Sequence, residues 1–198
     1  MALTLVKEDG SGVVDANSYA DVTDCDAYHD GHLYAAAWTG APSDRKAAAL
    51  VMATRLIDSQ FQFNGSRAGE SQALQWPRAE CPDPDKGLVT LSALLPILSN
   101  FVDYGSVPAA VVQATCEMAR ELLVVDRTAA PPGEGIESVE TIHATHAATG
   151  TGSSSDTSAT KYSKVDTRPI ISHVARAMLA KYGSLVSGGS GSVRLVRV

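Results

Sequence analysis

The chain has 198 residues, 44% of them hydrophobic, a formal net charge of -6, and only three Phe and two Trp. That length and apolar share suffice for one core of ordinary size with an appended arm, and no run reaches the roughly 18 to 20 apolar residues that a membrane-crossing helix needs. The acidic balance argues against wrapping nucleic acid along a basic stripe, since Lys and Arg contacts to phosphate supply most of that affinity; it suits a protein that stays soluble or lines a passage through which DNA slides.

The first nine residues are too short and too acidic for a signal peptide, so a cytoplasmic site of synthesis is expected. Residues 1–18 read as an extended arm with turns at its Gly, Asp and Asn positions. A helix is predicted from Asp21–Thr23 to about His32, with Val22, Cys25 and Tyr28 buried and Asp21, Asp24 and Asp26 favoured by the dipole of its first turns. After the break at Gly40-Ala41-Pro42, a central helix runs from Ser43 to Asp58. Ala47, Leu50, Thr54, Ile57 and Phe61 share one of its faces, and Ser43 is the expected cap. Trp76-Pro77 fixes an extended turn of chain beyond the following loop, where the indole can plug that face.

Residues 79–87 read as loop, and the apolar segment Leu88–Leu98, broken at Pro96, as a short helix. A strong helix is predicted over Pro108–Val125, with proline in its first turn. Val111, Thr115, Met118, Leu122 and Val125 form its stripe; Val112, Ala119 and Leu123 broaden it, which suggests contact on two sides. Two strands, Ile136–Ile142 and Thr160–Val165, are expected to pair antiparallel with Glu137 and Glu140 set against Lys161 and Lys164. The Ser/Thr/Gly-rich stretch between them reads as a mobile tip. A last helix over Pro169–Tyr182 presents Ile171, Val174, Met178 and Tyr182 and is closed by Gly183. A Gly/Ser linker leads to Val193-Arg194-Leu195-Val196-Arg197-Val198, which alternates like a strand suited to pairing with another chain.

Chemistry is sparsely signalled. Cys25, Cys81 and Cys116 are odd in number and far apart, which indicates neither a zinc site nor a disulfide framework; Cys25 and Cys116 read as core residues. His29 with His32, and His143 with His146, lack third and fourth ligands and read as exposed histidines, so no metal is expected. Asp83-Pro84-Asp85-Lys86-Gly87 is a fragment of a calcium loop without its distal Glu and reads as an acidic turn. There is no nucleophile elbow and no phosphate loop. Neither an enzyme nor a cofactor is expected.

Val14-Asp15-Ala16-Asn17-Ser18-Tyr19, Asp26-Ala27-Tyr28, Ala48-Ala49-Leu50 with Ala53-Thr54-Arg55-Leu56-Ile57-Asp58, and Gln75-Trp76-Pro77-Arg78, continued by Val107-Pro108, Ala114-Thr115-Cys116-Glu117-Met118-Ala119 and the Arg-containing C-terminal tail, resemble a family of tailed-phage neck proteins often labelled "DnaT-like" after a primosomal single-strand DNA-binding protein. The resemblance covers nearly the whole chain. It implies a virion head-tail connector: a homo-oligomeric ring of twelve copies between portal and tail-completion or tail-terminator protein, with double-stranded DNA passing through its lumen and no membrane partner. In that frame Val193, Arg194, Leu195, Val196, Arg197 and Val198 would bind portal. Val111, Thr115, Met118 and Leu122 would supply a subunit interface, and Trp76, Pro77 and Arg78 would be structural, with Arg78 capping carbonyls or pairing with an acid. The alternative is a replication protein that binds single-stranded DNA. The expected architecture is mainly α: a helical domain of about four helices with its arm at 1–128, an inserted hairpin at 129–168, a helix at 169–184 and a tail at 185–198.

Overall fold

The computed structural model describes residues 3–86, 101–129, 138–146, 153–161 and 169–186. Among these are five helices and three two-stranded antiparallel sheets, divided between a larger unit, Met1–Asp126 with Ile171–Val198, and a smaller one, Arg127–Ile170. The segment Leu88–Leu98 and the tail Val193–Val198 lie outside the described residues.

In the larger unit, α1 spans Val22–His29 and begins with a reciprocal cap: Asp21 accepts from the Asp24 amide, and Asp24 accepts from the Asp21 amide. Two orphan donors are thereby satisfied at once, and Lys7 closes on Asp24 at 2.6 Å. The short α2, Ala36–Thr39, buries Trp38, whose indole N–H donates to Asp26 at 2.7 Å. Next comes α3, Ser43–Gln60. Its cap position is Pro42 rather than Ser43, which is already helical and makes no capping bond. Proline cannot donate there, and its extended backbone leads the chain into the helix without a side-chain cap.

Leu50, Thr54, Ile57 and Phe61 are buried, Ala47 only partly, so the apolar period of α3 does set its inner face. Opposite packs α4, Ala109–Val124, preceded by Pro108 as its cap. Val111, Ala114, Thr115 and Met118 are fully buried there, with Val111 and Met118 each worth about 1.5–3 kcal/mol on burial. The core is completed by α5, His173–Leu179, through Ala175 and Leu179.

This last helix is shorter than its pattern and turned differently. Ser172 caps it by accepting from the Ala175 amide, and Val174 is exposed while Ala175 and Leu179 face inward. Gly183 does not close the helix. It opens β6, Gly183–Leu185, which pairs with β1, Phe61–Phe63, in the register Phe61 to Leu185 and Phe63 to Gly183. A Cβ at Gly183 would stand 2.4 Å from the Gln62 carbonyl oxygen, so close approach of two backbones, not helix termination, is what demands glycine.

A disulfide joins Cys25 of α1 to Cys116 of α4, with Cα atoms 5.3 Å apart and a sequence separation of 91. This corrects the reading of both as plain core thiols: their helices cross where the two β-carbons meet, which spacing in sequence does not encode. Cys81 stays a buried free thiol.

In the smaller unit β4, Ser138–His146, pairs with β5, Ser153–Lys161. Ser138 stands opposite Lys161 and Glu140 opposite Ala159, so direct Glu–Lys pairing does not set the register. Residues 153–158, expected in a loose tip, are strand, as are His143 and His146. Backbone pairing accommodates a polar strand that no core could. At the base, Arg127 donates to the carbonyls of Ile170 and Pro169 at 2.8 and 2.7 Å and clasps the two ends of the unit together.

Candidate nucleic-acid interface

One loop, residues 64–82, carries most of the unusual local structure of the larger unit. Its short strands β2, Ser66–Arg67, and β3, Arg78–Ala79, pair with Arg67 opposite Arg78. Trp76 is fully buried, edge-on to Phe63 at 5.6 Å and to Tyr182 at 5.9 Å between ring centres. The Trp76-Pro77 peptide bond is cis.

Two polar groups hold the loop from beneath. The Tyr19 hydroxyl donates to Asp58 at 2.5 Å and accepts from the Gln75 and Trp76 amides at 3.1 and 3.2 Å. The second Asp58 oxygen accepts from the Gln75 amide at 3.1 Å. Burial pushes the Asp58 carboxyl up to about 6 against the hydrogen bonds from Tyr19 and Gln75, which act to lower it. Burial likewise raises the Tyr19 phenol well above its ordinary range, and the Asp58 charge acts in the same direction. Arg78 fans across the other side, donating to the carbonyls of Asn64, Phe63, Gly65 and Gln75 at 2.6–3.2 Å. It caps backbone carbonyls within its own chain.

The outer side of the same loop forms one wall of a cleft of about 350 Å³. Three walls meet there, and each is stiffened by one polar side chain. The first is the turn after Glu8, whose buried carboxylate accepts from the amides of Gly10, Gly12 and Val13, each at 2.9 Å. Gln72 organises the second: its carbonyl accepts from Gly69 at 2.8 Å while its amide donates to Leu74 and Pro77 at 2.9 and 3.0 Å. Asp103 builds the third by accepting from Gly105 at 3.1 Å.

The first and third walls lock together at Gly10. Its φ is +102°, and a Cβ there would lie 2.2 Å from the Gly105 carbonyl oxygen, so only glycine fits on both counts. These contacts hold the turn that carries Tyr104, a residue 72% exposed that lines the cleft. Arg67, exposed on β2, precedes the Ala68 that lines the opposite wall.

Other residues that the sequence singles out fall elsewhere. Val111, Thr115 and Met118 are enclosed in the chain's own core, and Leu122 packs partly buried against it. The helix histidines are not exposed: His29 is 1% accessible, with Nε2 at 3.2 Å from the Cys116 carbonyl, and burial lowers its pKa. His32 approaches the buried Glu117 at 3.3 Å, and Arg120 meets the same carboxylate at 2.8 Å. No group of His, Cys, Asp and Glu suited to a metal occurs among the described residues. None of the described helices is long and apolar enough to cross a membrane. Asp83 accepts from the Asp85 amide at 3.0 Å in the acidic turn.

A family model described as "Putative DnaT-like ssDNA binding protein" matches residues 3–198. The chain belongs to this family. No curated protein and no solved structure matches it. The family's description overturns the connector reading: it names single-stranded DNA, not a portal, tail proteins, a ring of copies or duplex DNA in a lumen. The physical reason lies in what carried the resemblance. Tyr19, Asp58, Trp76 and Arg78 hold the loop together from within, so they report the family's fold and say nothing of what the surface meets.

Proposed function

We propose that this chain binds single-stranded DNA, as a binding protein and not an enzyme. The observation that carries the reading is the family match over residues 3–198. The charge of -6 requires such binding to be local, since the surface as a whole repels a phosphate backbone. Local binding of this kind uses a stacking aromatic and a few cations. Tyr104, which lines the cleft, supplies the aromatic, and the exposed Arg67, one residue before the wall residue Ala68, supplies a cation.

Fluorescence anisotropy of a labelled oligothymidylate of about 20 nucleotides, beside a duplex of equal length at about 50 mM salt, tests this. Saturable binding with clear preference for the single strand is expected. Binding to neither, or equal binding to both, refutes it.

A further inference from the structure

The stiffness of the cleft is hard to explain as a requirement of folding alone. Tyr104 buries little, and its turn contributes a single exposed ring, yet that turn is fixed by Asp103 and Ser106 and pressed backbone to backbone against Gly10. An exposed aromatic on a mobile turn loses much of its binding energy to ordering; on a fixed one it does not.

The carboxylates nearby are occupied by backbone amides. Glu8 is consumed by three amides, Asp103 by Gly105, and Asp9 accepts from the Ser11 amide at 2.9 Å. Hydrogen bonds from Ser11 hold Asp9 below the usual carboxylate range, so it stays charged at neutral pH. The residues that line the cleft are uncharged and offer no cation to an anion, whereas a neutral ring can be received there. The volume, about 350 Å³, lies at the small end of ligand sites, about 300–1,000 Å³.

We infer that the cleft receives one unpaired nucleobase of the bound strand, stacked on Tyr104, while the adjoining phosphate lies outside it against Arg67. The inference rests on the single-strand reading and deepens it: the base enters, as a neutral ring, a space lined by uncharged residues, and the phosphate charge stays outside with Arg67. Since every base has a π-face, stacking of this kind tolerates sequence, and duplex DNA, whose bases are already stacked, is excluded.

The test compares wild type, Tyr104→Ala, Tyr104→Phe and Arg67→Ala on the labelled oligothymidylate and on an abasic strand of the same length. Tyr104→Ala is expected to weaken oligothymidylate binding by about 5- to 150-fold, in line with about 1–3 kcal/mol per stacked base. It should leave the abasic strand unaffected, and Tyr104→Phe should restore binding. Arg67→Ala should weaken both strands. The inference is overturned if wild type binds oligothymidylate and Tyr104→Ala binds it equally, or if Tyr104→Ala loses both strands alike. A wild type that binds no single strand removes the underlying reading as well. Because Tyr104 is 72% exposed, unchanged thermal unfolding of its variants is the accompanying check.

Discussion

Asp58 shows how one residue can carry both a structural task and a cost. Its carboxylate supports the loop through Tyr19 and Gln75, but burial raises its pKa to about 6 from an unfolded value near 3.8. A raised acid binds its proton more tightly in the folded state, so folding is favoured as pH falls from about 6 towards 4 and disfavoured as it rises through that window. The difference between the folded and unfolded values amounts to up to about 3 kcal/mol. The stability of wild type relative to Asp58→Asn should therefore increase by up to that amount between pH 7 and pH 4, by urea unfolding. A difference that stays flat, or runs the other way, would disprove the assignment. Arg78 is the complementary case. Its guanidinium spans four carbonyls that a lysine ammonium cannot reach together, so Arg78→Lys should cost about 2–3 kcal/mol in the same measurement despite keeping the charge.

Among the elements, periodic helices were the most legible. The apolar spacing of α3 and α4 is regular enough that Leu50, Ile57, Val111 and Met118 are placed in the core by pattern alone, and Trp76 by its size. Met118→Ala should cost about 2–5 kcal/mol, whereas Val124→Ala at the exposed end of α4 should change stability by no more than about 0.5 kcal/mol. What the pattern could not show are contacts between partners remote in sequence. The Cys25–Cys116 bond spans 91 residues, and Tyr19 meets Asp58 and Trp76 across 39 and 57. The cleft was equally hidden, because its walls are short Gly, Ser and Gln turns without period, and only Gly10 against Gly105 brings them together. The disulfide closes a long loop between α1 and α4, so its reduction should lower stability by about 2–4 kcal/mol, read as a drop in Tm with reductant that the double variant Cys25→Ala/Cys116→Ala no longer shows.

At the scale of the whole molecule, charge decides what kind of single-strand binder this chain can be. With 22 acidic and 16 basic residues, several of the latter are committed: Lys46 to Asp26, Arg120 to Glu117, Arg78 to carbonyls. Acidic residues outnumber basic ones, so repulsion from the surface as a whole grows with every nucleotide laid along it. Binding that depends on one base in the cleft and a phosphate or two beside it escapes that penalty. Each phosphate neutralised on a single strand contributes about -0.7 to the slope of log K against log salt. About two contacts thus give a slope near -1.4, far shallower than that of a basic groove, and Arg67→Ala should reduce it by about 0.7. Anisotropy titrations between about 25 and 200 mM salt measure both slopes. A wild-type slope of about -4 or steeper would mean that phosphates, not a stacked base, supply the affinity, and an unchanged slope in Arg67→Ala would move the phosphate contact elsewhere on the molecule.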